Sequence, residues 1–218
     1  MIFLGVEATS NSSSYVIIKD QKIIFQDYMD LKITHSETIM VRIQQALDLV
    51  KISPNHLNAV FVSIGPGSFM GVRVSLATAK GICLALKIPL VAFNTLDILA
   101  ANVYGSNNDI LCVKDAFLQE AYIQVYNPNL EVVHPVSCVP YQSIKAMFPN
   151  NYLCSGDTFL LPNDQRFKKS LQHQNLVTGA GMYSLFLLKK IPLQFDEISI
   201  INLEPLYIRK KNMLFIND

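Results

Sequence analysis

The sequence predicts an α/β protein built as two related lobes, and three observations carry that prediction. Three short apolar runs stand close together at the start, Ile2 to Val6, Tyr15 to Ile18 and Ile23 to Tyr28. Helix-length and strand-length segments then alternate as far as about Tyr104. After a polar break the pattern of strands followed by helix and strand returns, with no residue-level repeat between the halves.

Taken in order, the first three runs read as adjacent strands in a meander. The polar stretch Thr9 to Ser14 and the turn Lys19-Asp20-Gln21 separate them. Thr34-His35-Ser36-Glu37 fits a capping box, in which Thr34 accepts from the Glu37 amide and the Glu37 side chain reaches back. A first helix then follows from Ile39, Ile43, Leu47 and Val50, with Met40 and Ala46 widening the stripe, and it ends near Lys51 before Ser53-Pro54. Ala59 to Ile64 is a β-branched strand. A glycine-rich loop leads into a helix from Val72 to Leu86, stopped before Pro89, and Leu90 to Phe93 is the next strand. Thr95 to Tyr104 reads as helical, and Gly105-Ser106-Asn107-Asn108 as the linker, which divides the chain into residues 1–104 and 105–218.

In the second half, Ile110 to Val113, Ala121 to Tyr126 and Glu131 to Val133 read as strands, Tyr141 to Phe148 as a helix and Tyr152 to Cys154 as a strand. Leu161 to Asn175 is patternless and reads as a loop. Gly179 to Lys190 resumes helical spacing through Met182, Leu185, Phe186 and Leu188. The tail Pro205-Leu206-Tyr207-Ile208-Arg209 reads as extended, and this last segment is placed as returning to the first lobe.

Composition narrows the function classes. Half of the 218 residues are hydrophobic, enough for a sizeable core, and the net charge is +1. No basic run exceeds Arg209-Lys210-Lys211, so a direct grip on nucleic-acid phosphates is not expected. Cys83, Cys112, Cys138 and Cys154 lie far apart, three of them in apolar runs, which fits buried free thiols in a reducing compartment. Glu7 interrupts the apolar start too early for a signal sequence, and no stretch approaches the ~18 apolar residues of a membrane span. A cytoplasmic protein with no membrane contact is expected.

The loop Gly65-Pro66-Gly67-Ser68-Phe69-Met70-Gly71 is the clearest local signal. Its glycines permit positive φ, Pro66 stiffens it, and it delivers the chain to helix amides that lack intrahelical partners, a place able to bind an anion. Its spacing matches neither the phosphate loop nor the dinucleotide fingerprint, and no lysine clamps it. A tight strand-to-helix turn therefore stands beside the anion reading. Arg73 opposes the helix dipole, by about 0.5 kcal/mol, which calls for a carboxylate, phosphate or carbonyl partner, or for plain solvent exposure. In the following helix only Arg73, Ser75, Thr78 and Lys80 are clearly polar, so it needs cover on two sides. Either a protein partner or the first helix supplies the second cover.

Read in order, Ile2-Phe3-Leu4-Gly5-Val6-Glu7-Ala8-Thr9-Ser10, then His35-Ser36-Glu37 opening a helix, then Gly65-Pro66-Gly67-Ser68-Phe69-Met70-Gly71-Val72-Arg73 resemble the TsaB family. Pro89 to Leu96, Lys114-Asp115-Ala116 with Glu120-Ala121-Tyr122, and Glu204 to Arg209 add to the resemblance, which covers residues 1–126 well and the rest thinly. It implies a two-lobed fold of the actin, Hsp70 and sugar-kinase (ribonuclease H-like) type, with a mainly parallel five-stranded sheet in each lobe. It also implies a non-catalytic adaptor that joins a TsaD-type catalytic subunit and a TsaE-type ATPase in threonylcarbamoyl transfer to N6 of adenosine 37 in tRNAs reading ANN codons. The helix pair of such proteins forms the partner contact, with TsaD or with a second copy. On that basis Ile39, Met40, Ile43, Leu47, Val72, Ser75, Leu76, Ala79, Ile82 and Cys83 are the expected interface residues, and Gly65, Gly67, Gly71 and Arg73 the structural loop.

Glu7 stands where the family usually has Asp, and Met70 where it usually has Thr, so no catalytic, metal or nucleotide-binding residues and no cofactor are assigned. His35, His56, His134 and His173 are isolated, the last three in expected loops, and Asp115 and Glu120 read as turn carboxylates. The alternative function is an ATP-binding phosphotransferase or ATPase working in the cleft between lobes.

Overall fold

The computed structural model describes residues 1–9, 12–30 and 35–208. In chain order the first half holds β1 (Ile2–Glu7), β2 (Ser12–Lys19), β3 (Lys22–Asp30), α1 (His35–Leu49), β4 (Ala59–Ser63), α2 (Phe69–Leu86), β5 (Leu90–Phe93) and α3 (Thr95–Ala101). The second half holds β6 (Ile110–Asp115), β7 (Glu120–Tyr126), β8 (Val132–Pro140), α4 (Tyr141–Met147), β9 (Tyr152–Gly156), β10 (Phe167–Lys169), α5 (Gly179–Lys189) and α6 (Glu197–Asn202). The expected capping box at Thr34 and the tail residue Arg209 lie outside the described residues.

The strands form two five-stranded sheets, ordered β3-β2-β1-β4-β5 and β10-β9-β6-β7-β8. Read from its other edge, the second sheet repeats the first: a meander of three antiparallel strands, then two strands parallel to the first of them. The echo seen in the sequence is thus a repeated topology. The expectation of mainly parallel sheets is corrected, since each is half antiparallel. Short hairpins impose that pairing, whereas helical crossovers permit the parallel one. Asp20 and Gln21, both at positive φ (48° and 67°), make the two-residue turn between β2 and β3.

Alternation along β1 sets the layers. Leu4 and Val6 face a core shared with Ile39, Ile43 and Leu47 of α1 and Leu76, Ala79 and Cys83 of α2. Phe3 faces the opposite core, where Phe61, Phe93, Leu99 of α3, Met182 and Leu185 of α5, and Ile110 and Cys112 of β6 meet. α5 packs on the first sheet and α3 on the second, with the two helices against each other between them. Tyr126 of β7 ties the layers by donating to Asp97 of α3 at 2.5 Å, and Asp97 also pairs with Lys189 of α5 at 3.1 Å. Ile144 and Phe148 cover the far face of the second sheet.

Several elements differ from the reading above. The expected loop from Leu161 to Asn175 contains β10 and a 3-10 turn at Gln172–Asn175, segments too short to show periodicity. α6 carried no recognised pattern. His134 stands on β8, not in a loop, and lies edge-on to Phe148. α2 corrects the statement that no apolar stretch reaches membrane-span length: by length and composition, 18 residues with mean hydropathy 1.5, it would suffice. In the fold it lies on β4 and β1, between α1 and α6. Cys83, Cys112 and Cys154 are buried, and none of the four cysteines is in a disulfide.

Candidate functional site

β1 and β4 run parallel and end together, and their carboxyl ends bring Glu7, Thr9, Ser63 and the glycine loop to one place. Gly65 has φ +96°, and the loop folds back so that the Ser68 amide donates to the Thr9 carbonyl at 2.7 Å. A Cβ on Gly67 would lie 2.2 Å from that carbonyl oxygen, and one on Gly71 would lie 1.8 Å from the Ala8 oxygen. The glycines are there because the backbone after β1 presses against them. Ser68 caps α2, its hydroxyl accepting from the Gly71 amide at 3.3 Å, while the Val72 amide donates to the Ser68 carbonyl at 2.9 Å. The amides of Ser68, Gly71 and Val72 thus have partners within the chain. The loop is built as a tight strand-to-helix turn.

Arg73 finds a partner that the sequence reading did not anticipate. Its Nε donates to the Tyr207 hydroxyl at 2.8 Å, and its guanidinium lies 3.7 Å from the Phe69 ring centre and 5.7 Å from that of Tyr207. The partner is therefore an aromatic clasp rather than a carboxylate, phosphate or carbonyl. The tail is fixed beside it, with the Leu206 amide donating to the Ile64 carbonyl at 2.8 Å. No sequence signal reports this contact, since its members lie 134 residues apart.

Glu7 is fully buried. Its Oε1 accepts from the Thr9 amide and hydroxyl and, at 3.4 Å, from the Ser63 hydroxyl, while Oε2 has no hydrogen-bond partner among the described residues. Burial raises its carboxyl from the ordinary 4.5 to about 7, against the opposing pull of the Thr9 bonds, the Lys114 charge and the Ser63 bond.

A cavity of about 270 Å³ opens between the lobes, lined by Thr9, Ser12, Gly67 and Ser68 on one side and Lys114, Asp115, Phe117, Asp157 and Phe159 on the other. Its charged groups are all bonded within the chain. Lys114 pairs with Asp157 at 3.2 Å, and Asp157 also accepts from the Asp115 amide at 2.8 Å. Asp115 accepts from the Phe117 amide at 2.7 Å and the Tyr141 hydroxyl at 2.6 Å, the role of a turn carboxylate. Phe117, Leu118 and Gln119 all take positive φ, and the turn exposes Leu118 and Phe117, the latter lining the cavity. Among the described residues no three His, Cys, Asp or Glu side chains converge as metal ligands would.

The ten expected interface residues do not share one surface. Ile39, Ile43, Leu47, Val72, Ser75, Leu76, Ala79 and Cys83 are buried in this chain's own core, Ile82 is half-buried, and Met40 is exposed. α1 packs directly against α2, so the first helix supplies the second cover that the sequence left open. What α2 turns outward is another stripe, Arg73, Ala77, Gly81 and Ala85, four residues apart. Met40, Val41 and Leu49 are exposed on α1, and Ile198 and Ile201 on α6. A Cβ at Gly81 would meet nothing within 4 Å among the described residues, so no contact with them requires glycine there. The interruption by Gly81 was visible in the sequence; the direction it faces was not.

A family model described as TsaD, tRNA N6-adenosine threonylcarbamoyltransferase, matches residues 30–152. The chain is 26% identical over 192 residues to the tRNA threonylcarbamoyladenosine biosynthesis protein TsaB of Haemophilus influenzae, covering 82% of this chain and 81% of that protein. It is 32% identical over 130 residues to the TsaB of Buchnera aphidicola subsp. Schizaphis graminum, covering 59% and 61%. Among solved structures, YeaZ from Pseudomonas aeruginosa superposes with TM-score 0.77 at 17% identity over 94% of this chain and 99% of that one. A second Pseudomonas aeruginosa structure, described as an uncharacterized protein with similarity to peptidase YEAZ, gives 0.77 at 19% identity over 95% and 99%. The ethanolamine utilization protein EutJ from Carboxydothermus hydrogenoformans gives 0.54 at 10% identity over 85% and 90%.

Proposed function

We propose, from the premise that this chain belongs to the TsaB family of tRNA threonylcarbamoyladenosine biosynthesis proteins, that it is a non-catalytic adaptor in threonylcarbamoyl transfer to tRNA. It docks a TsaD-type catalytic subunit on the outward face of α1 and α2, with a TsaE-type ATPase joining the pair. The observation that carries this reading is the stripe Arg73, Ala77, Gly81 and Ala85. An exposed glycine inside a helix costs about 0.5–1 kcal/mol relative to alanine, and no contact with the described residues explains it. A second helix packed closely over α2 does. That the loop amides at Ser68, Gly71 and Val72 are already bonded supports the absence of a phosphate-handling role.

The test is reconstitution. Mixed with TsaD-type and TsaE-type subunits, ATP, the other substrates and tRNA, this chain should be required for modification, and each partner omitted in turn should abolish it. Equal modification without this chain contradicts the proposal. The cavity between the lobes keeps a second reading in view, an ATP-dependent phosphotransferase or ATPase. Calorimetry with ATP and Mg²⁺ separates the two: micromolar binding by the isolated chain, lost on Glu7→Ala, favours the enzyme, and no binding favours the adaptor.

A further inference from the structure

One group has no part in the adaptor reading: the buried carboxyl of Glu7, with one oxygen bonded and the other without a partner among the described residues. A buried polar atom without a partner is costly, and a buried charge far more so. The environment of Glu7 is nevertheless built in detail. Oε1 holds both the amide and the hydroxyl of Thr9. The Thr9 carbonyl in turn holds the Ser68 amide at 2.7 Å, the Thr9 hydroxyl accepts from Thr95 at 3.4 Å, and Ser68 caps α2. One hydrogen-bonded chain therefore runs from the carboxyl to the first turn of the helix that presents the docking stripe. The ionisable groups facing Glu7 are Lys114 of β6, which favours its ionised form, and Tyr15 of β2, a buried phenol whose other charged neighbours are Arg42 and Asp27.

We infer that Glu7 is a positioning residue, a proton-linked latch that acts through Thr9 and Ser68 to hold the entry loop of α2 closed when neutral and to release it when ionised. The direction follows from solvation. Ionised in place, Glu7 carries a charge whose Oε2 no donor meets; opening of the loop lets water reach it, so deprotonation favours the open form. The carboxyl titrates at about 7 when closed, against an ordinary 4.5. If opening hydrates it fully, the opening equilibrium rises about tenfold between pH 6 and pH 8. The latch rests on the chain's own geometry; its consequence for partner docking rests on the adaptor reading.

The experiment is amide hydrogen exchange on the full chain at pH 6 and pH 8, corrected for intrinsic rates. Protection at Ser68, Gly71 and Val72 should fall about tenfold toward pH 8, while that of Leu111 in β6 stays constant and Glu7→Gln removes the difference. Constant protection at the loop in the unmutated chain, a parallel fall at Leu111, or an unchanged pH effect in Glu7→Gln would overturn the latch. Should Glu7→Gln fail to fold, the Glu7 carboxyl ¹³C shift of the unmutated chain decides: a midpoint near 7 upholds the latch, and one in the ordinary carboxylate range overturns it. The affinity of the TsaD-type subunit, measured at the same two pH values, separates the two ideas. A loop that titrates while affinity stays constant upholds the latch and contradicts α2 as the docking face.

Discussion

At Gly67 and Gly71 the close approach of the Thr9 and Ala8 carbonyls leaves no room for a methyl group. Gly71→Ala should lower stability by about 3 kcal/mol or more, read from the urea midpoint, because the neighbouring atoms are backbone and cannot swing aside. Glu7 makes stability depend on pH. Its pKa is raised on folding from 4.5 to about 7, so its contribution to stability is fully present below pH 4.5 and is lost as pH rises through 7. The span corresponds to about 3 kcal/mol. Glu7→Gln should flatten the stability profile in that window, measured by denaturation at half-unit pH steps. Both glycines and Glu7 could be singled out from the sequence, but the reason for each could not. A glycine pattern does not say whether a phosphate or a carbonyl lies against it, and the burial of Glu7 depends on strands brought together from positions 63 and 114.

Among the elements, the helices show best what periodicity can and cannot give. The apolar positions of α1 and α2 were legible, and they form the core beneath those helices. Most of the residues expected at an interface lie in that core, because a stripe marks what is buried without saying by what. Here the sheet and the neighbouring helix bury it. The outward stripe is small and nearly featureless, so hydropathy does not separate it from the core face. Gly81→Ala should stabilise the isolated chain by about 0.5–1 kcal/mol, measured as a rise in melting temperature, since the added methyl meets nothing within 4 Å. Tyr207→Ala removes the clasp on Arg73 and should speed proteolysis of the tail beyond α6 while moving the unfolding midpoint by less than about 1 kcal/mol. α6 escaped notice because six residues complete fewer than two turns and show no stripe.

For the whole molecule, the order of strands and helices sufficed to predict two related α/β lobes, and the structure shows the relation as one topology used twice. Pairing direction followed from connection length rather than composition, which is why the sheets are mixed. The exchange of α3 and α5 between sheets could not be read, since both helices are apolar and either sheet offers an apolar face. At this scale the central claim is that the chain works by presenting α2 to a catalytic partner. Ala77→Arg with Gly81→Arg tests it most directly, because both positions are exposed and neither change should unfold the chain. With α2 as the docking face, binding of the TsaD-type subunit in calorimetry should weaken at least about 30-fold while the melting temperature holds. Undiminished affinity in the double variant would contradict the claim.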